Sequence, residues 1–209
     1  MQSNQEKLVA HFLEQLNINN TDLSPETYAK LIAKQSTIVS IEDVIAYIHT
    51  LGEELNGKEN RIADLIEKIE DETSILIHKL KFITATDRPK VLVLNQIEPL
   101  EINQSAFLHE SIKIAGGVPT TVANEADKIL LIDSDERIFT RIPLLLNNPA
   151  IAQSKAMELD QLFIMTKPNF AGIPGYEYLT ELESLAEIFQ PKYFVYGHEG
   201  KDWLQFQLK

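Results

Sequence analysis

The sequence predicts an α/β fold: a mostly parallel sheet flanked by helices, with a long helix and a helical N-terminal segment ahead of it. Three observations carry this prediction. Short apolar runs at 91–94, 129–132 and 162–166 read as strands buried on both faces. Segments of helical period separate them, the order expected of a layered sheet with parallel crossovers. Upstream, residues 58–83 hold one apolar stripe at three- and four-residue spacing. The expected domains are a helical segment over 1–57, a long helix and linker over 58–89, and an α/β lobe over 90–209.

Residues 5–16 place Leu8, Val9, Phe12, Leu13 and Leu16 on one helix face. Ser24 is a good N-cap, with Pro25 at the first helical position and Glu26 in the first turn, so a second helix runs to about residue 34. Residues 37–39 read as a short strand. Ser40 and Asp43 stand at capping-box spacing before a helix carrying Val44, Ile45, Tyr47, Ile48 and Leu51. Asn56-Gly57 marks a turn. The helix over 58–83 then spans ~38 Å at about 1.5 Å per residue, and Arg88-Pro89 closes the segment. Its acidic stretch from Glu67 to Glu72 is the solvated side.

After the first buried strand, residues 105–115 form a helix stopped by Gly116-Gly117. A short strand is expected over 120–123. Residues 136–147 read as a helix that Pro143 splits, and 150–157 as another short one. A helix over 175–190 places Tyr178, Leu182, Leu185, Ala186 and Phe189 on one side. Runs at 193–196 and 203–208 read as closing strands.

Composition narrows the function. The 209 residues are 44% hydrophobic and 24% charged, the balance of a folded globular chain. The net charge of −12 is spread evenly on either side of Pro89, which opposes binding to a phosphate backbone, so no nucleic acid is expected as partner. The absence of cysteine excludes disulfides, thiolate metal sites, a cysteine nucleophile and a lipid-anchored cysteine in this chain. No apolar run approaches the roughly 20 residues of a membrane helix, so no membrane insertion is expected. The opening MQSNQEKLVAHF lacks a basic stretch followed by an apolar core. The chain as written is therefore expected in the cytoplasm, or in the periplasm if an upstream signal has been removed.

The search for chemistry returns few motifs. The five histidines form no HxH, HxxxH or HExxH pair, so no metal site is assigned, and His198-Glu199 reads as a surface turn. Gly116-Gly117 follows a helix instead of opening one, and no phosphate loop or GxSxG is present. No catalytic residue and no cofactor are assigned. What remains are loops at the carboxyl ends of the buried strands, where α/β folds place ligands. The first carries Gln96 and Glu98. The second carries Asp133 and Asp135, which could also serve to cap the next helix. The third carries Lys167, Asn169 and Phe170, a mixture of charge, hydrogen bonding and aromatic face.

From Ser40 onward the chain resembles the helical-backbone class of ABC-transporter substrate-binding proteins, which bind ferric siderophores, haem or cobalamin. The resemblance rests on 40–59 as the entry to the backbone helix, on RPKVLVL at 88–94, and on FLHESIKIAGG at 107–117. It continues through ADKILLI at 126–132, with Ala126 in place of the family's proline, through NPAI at 148–151, 153–157 and QLFI at 161–164, and through YLTELESLAEIFQP at 178–191. It covers about 150 residues. It implies two α/β lobes joined by one long helix, with ligand held between them. Only about forty residues precede Ser40, so the expectation is a C-terminal lobe and backbone helix, with residues 1–57 as remnant or replacement of the N-terminal lobe. The family meets its permease through one glutamate per lobe, and Glu125 is the candidate here. The resulting expectation is a non-enzymatic solute-binding module, shortened or degenerate, that takes a siderophore, haem or cobalamin and works with an ABC permease. A single lobe offers half a cleft, and a homodimer would close it. The alternative is a dimeric interaction protein that keeps the fold and binds no ligand.

Overall fold

The computed structural model describes residues 2–34, 37–132 and 137–207. The chain forms two compact units, Met1–Ile75 with Ile173–Leu179, and Leu76–Gly172 with Thr180–Lys209.

The first unit is helical among its described residues. Helix α1 (Asn4–Gln15) starts with a complete capping box between Ser3 and Glu6 and buries Leu8, Val9, Phe12 and Leu13. The carbonyls of Leu16 and Asn17, just past its end, accept from the Arg61 guanidinium at 3.1 and 2.9 Å. Helix α2 (Pro25–Ala33) begins at Ser24 with Pro25 in the first position, as the sequence predicts. Helix α3 (Ile41–Gly52) has the expected capping box, Ser40 to Asp43. Residues 37–39 are not a strand. One Asp43 oxygen accepts the N–H groups of both Val39 and Ser40, at 2.9 and 3.0 Å, so this backbone is committed to the cap of α3 instead of a ladder. Tyr47 of α3 is buried, which pushes its phenol up to about 12, against the opposing effect of its bond with Gln5. In segment 173–179 the Glu177 N–H donates to Nε2 of His11 at 3.2 Å, and the His11 ring packs 4.8 Å from Tyr176.

Helix α4 (Glu59–Leu80) is the longest described element and leads into the second unit. That unit is built on a six-stranded sheet of order β2-β1-β4-β5-β6, with β3 also paired to β1. Strands β1 (Lys90–Gln96), β4 (Lys128–Leu131) and β5 (Leu162–Met165) are parallel neighbours. Two-residue strands β2 (Glu101–Ile102) and β3 (Val118–Pro119) share the outer edge of β1, and β6 (Trp203–Phe206) runs antiparallel to β5. Leu92, Leu94, Ile129, Leu131, Leu162 and Ile164 face a core completed by α6 (Ile138–Arg141), the 3-10 turn Ile142–Asn147, α7 (Pro149–Ala152) and α8 (Lys155–Glu158). The alternate residues Val91, Val93, Leu130 and Phe163 are equally excluded from water. Burial of each such leucine or valine is worth about 2 kcal/mol, which drives assembly of the three strands. Helices α5 (Ala106–Ile114) and α9 (Tyr178–Phe189) carry further buried faces.

Several expectations shift by short distances. The strand expected over 120–123 lies at 118–119, where Val118 and Thr120 donate to the carbonyls of Pro89 and Val91. The helix over 150–157 is broken at Ser154, whose side chain caps a new turn. Residues 193–196 form no strand.

Gly116 is needed where α5 stops. Its φ is +88°, and a Cβ there would stand 2.8 Å from Leu80 Cδ2 at the end of α4. A Cβ on Gly117 would stand 3.0 Å from both Ile112 of α5 and Phe189 of α9. Replacement Gly116→Ala should therefore cost about 2 kcal/mol in urea unfolding. A loss below about 0.5 kcal/mol would mean that the end of α4 does not press on this turn.

Candidate functional site

The carboxyl ends of β1, β4 and β5 open into a pocket of about 820 Å³. Its apolar wall includes Ile132 after β4, Ile138 of α6, and Ile164 and Met165 of β5. Phe139 of α6 lines the pocket with 48% of its surface exposed, whereas Phe170 is 5% exposed and belongs to the packed wall. Polar groups come from Asn95, Asn103 and the loop 166–169.

These polar groups are held in place from behind. Asn103 donates to Asn95 Oδ1 at 2.7 Å and accepts from the Ser105 N–H at 2.8 Å, just before α5. Asn95 in turn donates to Glu101 at 2.8 Å. The N–H groups of Thr166 and Lys167 both donate to the Asp202 carbonyl, at 2.9 and 3.0 Å, and the Lys167 ammonium lies 4.0 Å from the Asp202 carboxylate. Beyond them the loop takes two left-handed residues that are not glycine, Asn169 at φ +61° and Ala171 at φ +52°. Such backbone costs on the order of 1 kcal/mol per residue. It is held here by the buried Glu181 carboxylate, which accepts the Ala171 N–H at 2.8 Å.

A second polar network supports the Asp202 side of this loop. Glu187 of α9, 7% exposed, accepts the backbone N–H groups of Tyr196, Gly197 and His198 and the Trp203 indole N–H, all within 3.2 Å. Burial raises its pKa, but the donors, led by Gly197 and Trp203, outweigh burial and hold the carboxyl below its ordinary value. His198 places Nδ1 2.6 Å from Asp202 and Nε2 3.0 Å from Glu183. This network and the turn before it explain the missing strand over 193–196: the Tyr193 and Phe194 N–H groups donate to the Gln190 carbonyl at 2.9 and 3.1 Å, and that of Tyr196 to the Glu187 carboxylate.

The residues expected to bind ligand thus separate. Lys167, Asn169 and Phe170 meet at the pocket. Gln96 and Glu98 do not line it. The Gln96 side chain donates to the Glu98 carbonyl at 2.6 Å, which also accepts from Arg141 at 3.0 Å, so both belong to a closed turn. Asp133 and Asp135 lie outside the described residues. Glu125 is exposed on a 3-10 turn and pairs with the Lys90 ammonium at 2.6 Å. Asn95, Asn103 and Phe139 escaped sequence reasoning, since asparagines beside strand ends more often signal turns. His198 reads as a surface turn in the sequence yet is nearly enclosed. The i,i+4 spacings Glu183/Glu187 and His198/Asp202 were the signal that could have found it. Among the described residues, no group of three His, Asp or Glu side chains could hold a metal ion, and no helix is long and apolar enough to cross a membrane.

No protein-family model matches the sequence. No curated protein matches it either. Solved structures do. A substrate-binding protein of an ABC transporter from Listeria monocytogenes EGD-e aligns with a TM-score of 0.62 at 15% identity, over 82% of this chain and 73% of that one. The haem-complexed S. aureus protein IsdE aligns with a TM-score of 0.61 at 16% identity, over 78% of this chain and 71% of that one. The chain has the fold of ABC-transporter substrate-binding proteins. The periplasmic haem-binding protein RhuT from Roseiflexus sp. RS-1 shares this fold with a TM-score of 0.57 at 19% identity, over 80% and 73% of the two chains. Two of these neighbours are described as haem-complexed or haem-binding and one as substrate-binding.

The Glu187 network gives a prediction with a defined pH dependence. Glu187→Gln places an amide among four N–H donors and should destabilise by about 2–3 kcal/mol at neutral pH. Because the folded-state pKa is depressed, the wild-type carboxylate contributes fully above its unfolded pKa of roughly 4.3. That contribution is lost as pH falls through the folded value, so the gap between wild type and variant should narrow under acid. A gap independent of pH in urea titrations would contradict this role.

Proposed function

We propose that the chain is a non-enzymatic solute-binding module for a metal chelate of the haem, ferric-siderophore or cobalamin kind, working with an ABC permease. The observation that carries this reading is the pocket at the carboxyl ends of β1, β4 and β5, in a fold shared with haem-binding proteins. Its volume suits a ligand of chelate size. Its chemistry also fits: an apolar wall, an aromatic face at Phe139 for a flat or conjugated group, and Lys167 and Asn169 for polar substituents. Glu125, exposed and carboxylate-bearing, is the proposed permease contact. Its bond to Lys90 would be exchanged for a permease arginine on docking.

Large exposed apolar side chains in the second unit, Phe82 at 79% and Val195 at 85%, favour a second reading in which the chain is an interaction protein that pairs with another copy. Ligand response separates the two. Hemin, a ferric hydroxamate siderophore and cobalamin are each added and the melting temperature followed. Binding is expected to raise it with one of them, since a ligand at 100 times its Kd adds about 2.7 kcal/mol. Phe139→Ala should then weaken that Kd by about tenfold, the loss of one aromatic contact. No shift with any of the three, together with a dimer by sedimentation, supports the interaction protein instead.

A further inference from the structure

Strand β1 ends in an irregularity. Leu94 pairs with Ile102 and Gln96 with Glu101, so Asn95 is the extra residue between two paired positions. A bulge of this kind re-aims a side chain at a strand end. Here the re-aimed residue lines the pocket together with Asn103, which is 7% exposed.

The hydrogen bonds that join the two asparagines run in one direction only. The Ser105 backbone N–H donates to Asn103 Oδ1 at 2.8 Å. Asn103 Nδ2 then donates to Asn95 Oδ1 at 2.7 Å, and Asn95 Nδ2 to Glu101 Oε1 at 2.8 Å. The relay starts on a backbone amide, which only donates, and ends on a carboxylate, which only accepts. Neither carboxamide can therefore be turned over. Each Nδ2 keeps one N–H outside the relay, and for a residue as buried as Asn103 an unmet N–H is costlier than a spare lone pair. Lys167, the one charged side chain among the described residues that line the pocket, is also a donor. Glu101 is exposed and does not line the pocket, so it fixes the relay without meeting the ligand. We propose, on the reading of this pocket as a chelate site, that Asn95 and Asn103 determine its specificity. They select ligands whose polar arm is an anionic acceptor, such as a carboxylate, over ligands whose arm is a cationic donor.

The relay can be reversed without being broken. In Asn103→Asp the new carboxylate still accepts from Ser105 but has no proton for Asn95. Asn95 must then turn over and set its oxygen against Glu101. Glu101→Gln supplies the missing donor. The double variant Asn103→Asp/Glu101→Gln therefore restores each bond in the opposite sense, at unchanged net charge. It also puts a carboxylate where the pocket had an N–H.

The test uses the intact protein and two pairs of probes: hemin with its bis-aminoethyl amide, and ferrioxamine B with its N-succinyl derivative. Within each pair the metal centre is the same and the arm changes between carboxylate and ammonium. The wild type is expected to bind the carboxylate member of a pair about tenfold more tightly. Asn103→Asp should lower Tm by about 5 °C, and the double variant should recover most of that loss. The double variant should bind the carboxylate member about a hundredfold more weakly, the loss of a charge-assisted hydrogen bond, and prefer the ammonium member. A wild type that prefers the ammonium arm overturns this proposal and leaves the chelate reading standing. So does a double variant that keeps the wild-type preference, or one no more stable than Asn103→Asp. Failure of all four probes to bind also overturns it, and the response to cobalamin then decides whether the chelate reading survives.

Discussion

Three strands that are apolar on both faces set the terms for the second unit. β1, β4 and β5 cannot meet water on either side, so they lie parallel at the centre and every connection between them passes over a face as helix. Parallel strands end at the same edge. The points where the chain leaves that edge, at Gln96, Leu131 and Met165, are thereby brought together although they are some thirty-five residues apart in sequence. The pocket follows from the burial requirement, because the strand ends are where the chain can turn, vary and remain polar.

Polar networks hold these loops, since apolar packing fades where the strands end. Asn95 and Asn103 tie the end of β1 to the start of α5. Glu181 pins the left-handed turn at Ala171, and Glu187 gathers the backbone that leads to His198 and Asp202. Asp202 then carries the backbone of Thr166 and Lys167. Two carboxylates six residues apart on α9 thus govern the shape of the loop after β5. A buried carboxylate that satisfies several N–H donors fixes a backbone that has no ladder to fix it.

The sequence made legible whatever depends on local chemistry. Ser24-Pro25, Ser40 with Asp43, and Ser105 announce helix starts because capping is settled within four residues. The three apolar runs announce buried strands because no solvated element tolerates them. Residues 37–39 and 193–196 misled because an apolar run looks like a strand whether its N–H groups face a neighbouring strand, a carboxylate or a carbonyl just past a helix end. The partners, Asp43 and Glu187, lie on helices, and only the fold reveals the pairing. At the site, Lys167, Asn169 and Phe170 were legible as a strand-end loop of mixed chemistry. Gln96 and Glu98 had the same credentials but turn into their own hydrogen bonds, and Phe139 reads as an ordinary amphipathic residue until α6 is placed beside β5.

The most direct test of a ligand site at this edge is paramagnetic broadening of backbone amide signals in isotope-labelled protein on addition of hemin. The account predicts that amides of Asn95, Asn103, Phe139 and residues 166, 167 and 169–172 broaden first and together, because the ferric ion sits within the pocket. Broadening centred elsewhere, such as on Val118 and Lys128 at the opposite edge, would contradict it.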